Sequence, residues 1–195
     1  AVRNGLDAVE AARMANGWSD LRHSISHIQV VHPGDIARFH RLGVVVNAQP
    51  LWACEDGYQA ELTQPFLGPE RSAWQYPFGS LVDAGATLVG GSDWSVSTCD
   101  VMQQVHVAVN RVAAHDDSHP PMTPEQRIDP VTALAAFTAG SAWHNHDDDR
   151  RGSVTLGKVA DLVVMDRNPF VAGFAETEVD LVMVGGGWAG GMEAG

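Results

Sequence analysis

Residues Ile25–Gln49, ISHIQVVHPGDIARFHRLGVVVNAQ, contain the pattern that decides the fold. Ile25 to Val31 is a short run rich in β-branched residues, and it predicts a strand. Pro33 then begins a helical stretch that ends at Gly43, because proline is tolerated in a first helical turn and glycine adopts the left-handed cap. Val44 to Gln49 predicts a second strand. The stretch is therefore one strand–helix–strand unit.

The flanking sequence repeats this alternation, and each strand is a nearly continuous apolar run. Such strands are typical of a parallel sheet whose two faces are both covered by helices. The other predicted elements are a helix that ends at Gly17, a long loop from Leu51 to about Tyr76, a helix from about Pro77 to Ala84, a strand over Ala86–Gly91, a helix from about Asp100 to Ala114, a capping box at Thr123-Pro124-Glu125-Gln126, and a helix that begins after Asp129.

The pattern changes after Gly152, where two strands, Val159–Met165 and Val179–Val184, follow without a helix between them. We therefore expect an α/β domain over residues 1–150 and part of a small β domain over 151–195. Three parallel strands cannot close a barrel, which needs eight βα units and about 250 residues. The remaining strands are expected either from sequence upstream of this chain or from another chain, such as a second copy in a homo-oligomer.

Composition limits the partners. The chain has 24 acidic and 12 basic residues and a net charge of −12, which argues against nucleic acid or an anionic membrane as partner. No apolar run approaches the roughly 18 residues that a membrane span needs. The two cysteines, Cys54 and Cys99, form no disulfide framework, so a cytoplasmic location is expected.

Polar side chains lie near the carboxyl ends of the three strands, where α/β folds place their functional groups. His27 lies within the first strand, Asn47 and Gln49 end the second, and Asp93 follows the third. An imidazole and a carboxylate at one such edge suit a metal ion that activates water. Spacing alone leaves open a second interpretation, in which His27 is a hydrogen-bonded core residue.

Six motifs along the chain carry a family resemblance: Arg22-His23-Ser24-Ile25-Ser26-His27-Ile28-Gln29, His32-Pro33, Gln49-Pro50, Gly91-Ser92-Asp93-Trp94, Gly152-Ser153-Val154 and Gly157-Lys158-Val159-Ala160-Asp161-Leu162-Val163-Val164-Met165-Asp166. Together they resemble the amidohydrolase superfamily, and amidohydrolase family 3, which includes N-substituted formamide deformylases, is the branch they resemble most. The resemblance implies the C-terminal part of a TIM barrel, about strands 6–8, plus part of a small β-sandwich.

The resemblance also implies a function, which is hydrolysis of an amide-like, non-peptide carbon–nitrogen bond with a divalent metal, usually zinc. His27 matches a metal ligand, and Asp93 matches the aspartate that binds metal and transfers the proton. Asn47, Gln49 and Trp94 are expected to contact substrate. Ser26 stands where this branch commonly has glutamate.

The family's other ligand motifs would precede Ala1, so this chain alone is expected to be inactive. The alternative is a non-catalytic remnant that acts as a structural or binding module.

Two further motifs suggest other sites. Gly185 to Gly190 satisfies a dinucleotide-binding pattern, but no helix can follow it before Gly195, so a turn of the small sheet is expected. The His144 to Asp149 cluster is interpreted as a solvated helix end rather than a metal site.

Overall fold

The computed structural model describes residues 1–116 and 118–191. Two three-stranded sheets and eight α-helices make up the regular structure of this part of the chain. The strands are β1 (Ser24–His27), β2 (Val45–Ala48), β3 (Leu88–Gly90), β4 (Leu162–Met165), β5 (Val179–Val184) and β6 (Gly187–Gly191). The helices are α1 (Val2–Asn16), α2 (Ile36–Leu42), α3 (Gln64–Ser72), α4 (Phe78–Asp83), α5 (Val101–Asn110), α6 (Pro130–Ala135), α7 (Ser141–His144) and α8 (Pro169–Ala172).

The first sheet is parallel, in the order β1-β2-β3, and confirms the predicted α/β class. His27 pairs with Ala48, and Ala48 pairs with Gly90, so the three strands end in one row. The residues that follow this row share one edge of the sheet. Five residues are predicted to form the site. His27 lies in the row and Asn47 lies one residue before it. Gln49, Asp93 and Trp94 follow the row.

A continuous apolar core joins this sheet to its helices. Val46 of β2, Phe39 of α2 and Leu81 of α4 are fully buried in it, and α2 packs against both α1 and α4. Burial of one such side chain contributes about 1.5–3 kcal/mol. Phe174, from the segment before β5, belongs to the same core, so this segment is packed against the first part of the chain. The domain boundary at residue 150 stays a prediction.

A buried ion-pair cluster joins α1 to α2. The Asp35 carboxylate accepts a hydrogen bond from Arg3 Nε at 2.9 Å and one from Arg38 Nη1 at 3.1 Å. Its side chain is 4% exposed. Burial opposes ionisation of Asp35, but the two arginines outweigh it and hold the pKa of this carboxyl below its usual value. The cluster stabilises the helix pair that precedes and follows β1.

The first strand is shorter than predicted. We expected it to reach Val31, but it ends at His27, because His27 and Ile28 have positive φ angles of 66° and 58°. This left-handed backbone cannot continue a strand. The Ile28 amide turns back and donates to the Ser26 carbonyl at 2.9 Å. The apolar run continues past this turn because Ile28 and Val31 are buried in the core, and the Val31 amide donates to the Trp74 carbonyl rather than to a strand of the first sheet.

The segment predicted as a long loop is largely helical. A π-helix over Gln59–Thr63 runs into α3, and Pro65 lies in the first turn of α3, where its missing amide costs nothing. Gly68 breaks the helix geometry with a φ of 73°. The prediction of a loop was wrong, because the prolines and glycine are placed where short helices tolerate them.

The capping box predicted at Thr123 is also absent. Thr123 has a left-handed backbone and forms no side-chain cap; the short 3-10 helix Pro124–Gln126 follows it. Its hydroxyl accepts a hydrogen bond from Arg111 Nη2 at 2.6 Å instead. Arg111 is fully buried, and burial lowers its pKa to about 10. By contrast, Asp129 caps α6 as predicted, accepting from the amides of Val131 and Thr132.

The second sheet is antiparallel, in the order β4-β5-β6. The expectation that no helix lies between its first two strands was wrong, because Asn168 caps the short helix α8 there. Gly185 and Gly186 form the turn between β5 and β6 with φ angles of 59° and 84°, which only glycine adopts without strain. The predicted turn is confirmed, and no helix follows it within the described residues, so the glycine pattern is no dinucleotide site. Residues 192–195 lie outside the described part of the chain. Within that part, no helix has the length and apolarity that a membrane span requires.

Candidate active site

The candidate site lies at the carboxyl edge of the parallel sheet. His27 is the last residue of β1, Asn47 is the third residue of β2, and Gln49 directly follows β2. Asp93 comes three residues after the end of β3. Because all three strands run in the same direction, the topology brings these residues to one edge. Direct contacts join the first two strand ends.

His27 lies at the centre of a tight turn. Its backbone amide donates to Gln49 Oε1 at 2.7 Å, while the Ser26 carbonyl accepts from the Ile28 amide across it. The i to i+2 bond and the positive φ of His27 correspond to a γ-turn of the rarer, strained form. The imidazole is exposed and forms no hydrogen bond with the described residues. The ring is therefore free to bind a ligand.

Asn47 holds an unpartnered acceptor at the same edge. Its Nδ2 donates to Ser26 Oγ at 3.2 Å, but its Oδ1 is buried and has no hydrogen-bond partner within the described residues. A Cβ at Gly91 would lie 2.8 Å from this Oδ1, so the close approach requires glycine there. Buried acceptors without a partner are rare in native structures and often mark a place for water or ligand.

Asp93 lies in a compact loop after β3. Its backbone has a φ of 61°, and its carbonyl accepts from the amides of Val96 at 2.8 Å and Ser97 at 3.2 Å. The Ser97 hydroxyl donates to the carbonyl of Ser92. The Asp93 carboxylate is half-buried and forms no hydrogen bond or ion pair with the described residues. The loop thus fixes the backbone and leaves the carboxylate free.

Gln104 ties this loop to the one after β2, and the sequence analysis did not single it out. It is fully buried on α5; its Nε2 donates to the carbonyls of Ser92 and Thr98 at 3.4 Å, and its Oε1 accepts from the Leu51 amide at 3.0 Å. A glutamine in an apolar helix was the only available signal.

The π-helix Ala136–Gly140 and helix α7, which follow α6, pack against the end of β3. Ser141 Oγ donates to the Gly90 carbonyl at 3.1 Å, and a Cβ at Gly90 would lie 2.6 Å from the ring of Phe137. The pair Gly90-Gly91 was the sequence signal for this close packing. Both glycines allow neighbouring side chains to approach the backbone at the site.

The three tryptophans near this edge differ in environment. Trp94 is 70% exposed, so it does not fill the core. Trp52 packs against the core, and its Nε1 is buried without a partner among the described residues. Trp74 packs edge-on against His32, with 5.0 Å between the ring centres. Of the three, Trp94 presents its ring to solvent at the edge of the sheet.

The remaining titratable clusters form no alternative site in the described part of the chain. In the His144 to Asp149 segment, Asp147 pairs with both Arg150 and Arg151, as expected of a solvated helix end. A cavity of about 950 Å³ lies between α6 and the second sheet, where Leu134, Phe137 and Met165 line it. None of the five residues predicted to bind metal or substrate lines that cavity.

Comparison with known proteins identifies the family. The family model described as "Amidohydrolase family" matches residues 1–188, which is nearly the whole chain. The chain belongs to the amidohydrolase family. This confirms the resemblance drawn from the strand-end motifs.

Named relatives of this amidohydrolase chain come from plants and bacteria. It is 35% identical over 164 residues to the protein LONG AFTER FAR-RED 3 of Arabidopsis thaliana, covering 84% of this chain and 27% of that protein. It is 28% identical over 166 residues to the N-substituted formamide deformylase of Arthrobacter pascens, covering 84% of this chain and 29% of the relative. The chain thus spans less than a third of the length of these relatives.

Solved structures of similar fold include two that match at about a quarter identity. An uncharacterised metal-dependent hydrolase from Pyrococcus horikoshii matches with a TM-score of 0.71 and 26% identity, covering 89% of this chain and 34% of that one. A mutant of the atrazine chlorohydrolase from Arthrobacter aurescens, solved with zinc and atraton, matches with a TM-score of 0.58 and 25% identity, covering 90% and 37%.

His27 and Asp93 have the right ligand atoms for a metal ion, but two ligands are fewer than a catalytic zinc site needs. An imidazole nitrogen and a carboxylate oxygen are both zinc ligands, and neither side chain is otherwise engaged within the described residues. They form no ion pair with each other. Catalytic zinc takes three protein ligands, whereas the described part of this amidohydrolase chain places no group of three or more His, Cys, Asp or Glu where it could hold an ion.

Proposed function

We propose that this chain supplies one histidine and one aspartate to the active site of a metal-dependent hydrolase of small molecules. The reaction is hydrolysis of an amide-like, non-peptide carbon–nitrogen bond. One observation carries the proposal: His27 and Asp93 follow two strands of one parallel sheet, at the same edge, in a chain of the amidohydrolase family. Both side chains are free of other polar partners among the described residues.

The ion we propose is divalent, with zinc as the first choice. The name of the Pyrococcus horikoshii neighbour states metal dependence, and the chlorohydrolase neighbour was solved with zinc. A bound divalent ion would supply hydroxide at neutral pH, because it lowers the pKa of water to about 7. His27 and Asp93 would hold it together with ligands from outside this chain.

Each predicted site residue of this chain then has its own proposed role in the reaction. Asp93 accepts the proton that water releases and delivers it to the leaving nitrogen. We assign to Asn47 the role of receiving an N–H group of the substrate amide, which its buried and unpartnered Oδ1 supports. Trp94 offers an exposed aromatic face beside Asp93 and would form an apolar wall. Gln49 contributes a side-chain amide that contacts substrate through Nε2, since its Oε1 is engaged with His27.

The architecture we propose is the part of a TIM barrel around strands 6–8, over residues 1–150, followed by part of a β-sandwich over 151–195. In the described residues β1 and β3 have open edges, to which further parallel strands can be added. The curated relatives are more than three times longer than the matched segment, which leaves room for those strands and their ligands.

The test uses the polypeptide encoded by the complete reading frame. Its metal content is measured by mass spectrometry, and its activity is assayed on N-acyl and N-substituted formamide compounds. We expect His27→Asn and Asp93→Asn to lower both, with Asp93→Asn acting most strongly on turnover. The matched controls are His119→Asn and Asp149→Asn, which change exposed side chains. A wild-type protein that binds no metal and hydrolyses no such compound would instead favour a non-catalytic structural or binding module.

A further inference from the structure

We propose that Gln49 is a positioning residue, whose side-chain oxygen fixes the backbone of His27 and so directs the imidazole toward the metal ion. The inference rests on the proposed function, and it goes further by assigning the buried amide a task other than substrate contact. The observations that carry it are the backbone geometry at His27 and the 2.7 Å hydrogen bond from Gln49.

The backbone at His27 is in a conformation that needs support. His27 and Ile28 both have left-handed φ angles, which are unfavourable for residues with a Cβ. Two such residues in succession persist only where the surrounding structure holds them. Such strain is concentrated at functional sites, and here it falls on the candidate metal ligand itself.

Two anchors hold this turn from opposite sides. On one side, Gln49 Oε1 accepts the His27 amide across the gap between the ends of β1 and β2. On the other, the Ile28 side chain is fully buried in the core. His27 therefore lies between two fixed points, while its exposed imidazole has no partner of its own in the described residues. Gln49 and the buried Ile28 side chain together fix the backbone from which the imidazole projects.

Glutamine suits this task chemically. Gln49 is only 6% exposed, and a neutral amide oxygen can accept the bond without a buried charge. The side chain is long enough to span from the end of one strand to the next. The carbonyl of Ala48 is already taken by the amide of Gly91, so β2 offers its side chain rather than that backbone oxygen.

A purely structural role makes a different prediction. If Gln49 only stabilised the strand end, its loss would lower the midpoint of unfolding but leave the affinity of the folded protein for metal unchanged. A positioning role requires the affinity to fall, because the imidazole would sample directions away from the ion. Loss of a group that orients a metal ligand typically weakens metal binding about 10- to 100-fold.

The experiment titrates the metal-free full-length protein with Co²⁺ and records the dissociation constant and the visible absorption spectrum. Gln49→Met keeps the length of the side chain and removes the acceptor, and we expect about 10- to 100-fold weaker binding with an altered spectrum. Gln49→Glu keeps an acceptor oxygen at the cost of a buried charge, and its affinity is expected to lie closer to that of the wild type than the affinity of Gln49→Met. The matched control is Gln126→Met, since Gln126 Oε1 accepts a backbone amide at 3.0 Å, from Ser80, outside the sheet edge.

The outcomes separate the two proposals. A wild-type protein that binds no Co²⁺ contradicts the proposed function. A wild type that binds, together with a folded Gln49→Met variant of equal affinity and spectrum, overturns the positioning role. If Gln49→Met does not fold, hydrogen exchange of the His27 amide in the wild type decides. Protection supports the bond to Gln49, and exchange at the rate of an unfolded chain overturns it.

Discussion

Replacement of Gly90 by alanine tests the close packing that braces the end of β3. A Cβ at this position would lie 2.6 Å from Cδ2 and Cγ of Phe137 and 2.7 Å from Cδ1. Carbon atoms in contact prefer about 3.5–4.0 Å, so the overlap is about 1 Å with three atoms of one ring. Rotation of the ring does not relieve it, because Cγ lies on the rotation axis. Overpacking of this kind costs about 1–3 kcal/mol, and we expect the upper half of that range.

The assay is urea and thermal unfolding followed by circular dichroism. For a domain of 150–250 residues, 1 kcal/mol corresponds to about 2–4 °C in the melting temperature, so Gly90→Ala should lower it by about 5–10 °C. Phe137→Leu, made in both backgrounds, should recover at least about 1 kcal/mol of that loss through coupling of the two sites. Gly57→Ala is the control, since its Cβ would meet open space and should change stability by less than about 0.5 kcal/mol. A Gly90→Ala protein as stable as wild type, or strictly additive effects of the two changes, would refute the packing argument.

Three further predictions concern other parts of the structure: the Asp35 ion pairs, the two cysteines and the cap of α6. Asp35→Asn should cost about 1.5–3 kcal/mol at pH 7 through the loss of its charge-assisted hydrogen bonds, because Arg38 keeps Asp7 and Glu10 as partners and Arg3 is half-exposed. Since the pKa of Asp35 is lower in the folded state, its contribution is full above its usual pKa and is lost as the pH falls through the folded value; urea midpoints of wild type and variant should therefore converge at low pH. Iodoacetamide at pH 8 should label exposed Cys99 and leave Cys54 unmodified, because burial raises the pKa of Cys54 to about 11; equal labelling of both in the folded protein would contradict this. Asp129→Ala should cost about 1 kcal/mol through loss of the α6 cap, and Asp129→Asn should restore most of it, as denaturant unfolding can show.

The parallel sheet could be predicted from the sequence because each of its strands is a short apolar run with a helix start or a glycine cap beside it. Gly43, with φ and ψ of 59° and 37°, ends α2 as predicted. The helices between Leu51 and Tyr76 could not be predicted, since tertiary packing decides whether a proline lies in a loop or in a first helical turn. The early end of β1 could not be predicted either, because His27 and Ile28, which are not glycines, adopt left-handed backbone angles there.

In the candidate site, the positions of residues on the strands could be predicted from the sequence, whereas the contacts between side chains could not. The strand-end positions of His27 and Asp93 could be predicted from the pattern of strands, since parallel order alone brings those ends together. The hydrogen bond between His27 and Gln49 and the buried, unpartnered oxygen of Asn47 could not, because they depend on how side chains cross between strands. Gln104 was missed for the same reason: nothing in its sequence neighbourhood marks a glutamine that joins two loops.

The central claim is that the imidazole of His27 and the carboxylate of Asp93 bind one metal ion. The most direct test is a crystal structure of the zinc-loaded full-length protein, with diffraction measured above and below the zinc absorption edge. The claim predicts an anomalous peak about 2.0–2.2 Å from a ring nitrogen of His27 and from a carboxylate oxygen of Asp93. A peak bound by other residues, with these two donors more than about 8 Å apart, would contradict it, because one ion with bonds of about 2 Å cannot join them.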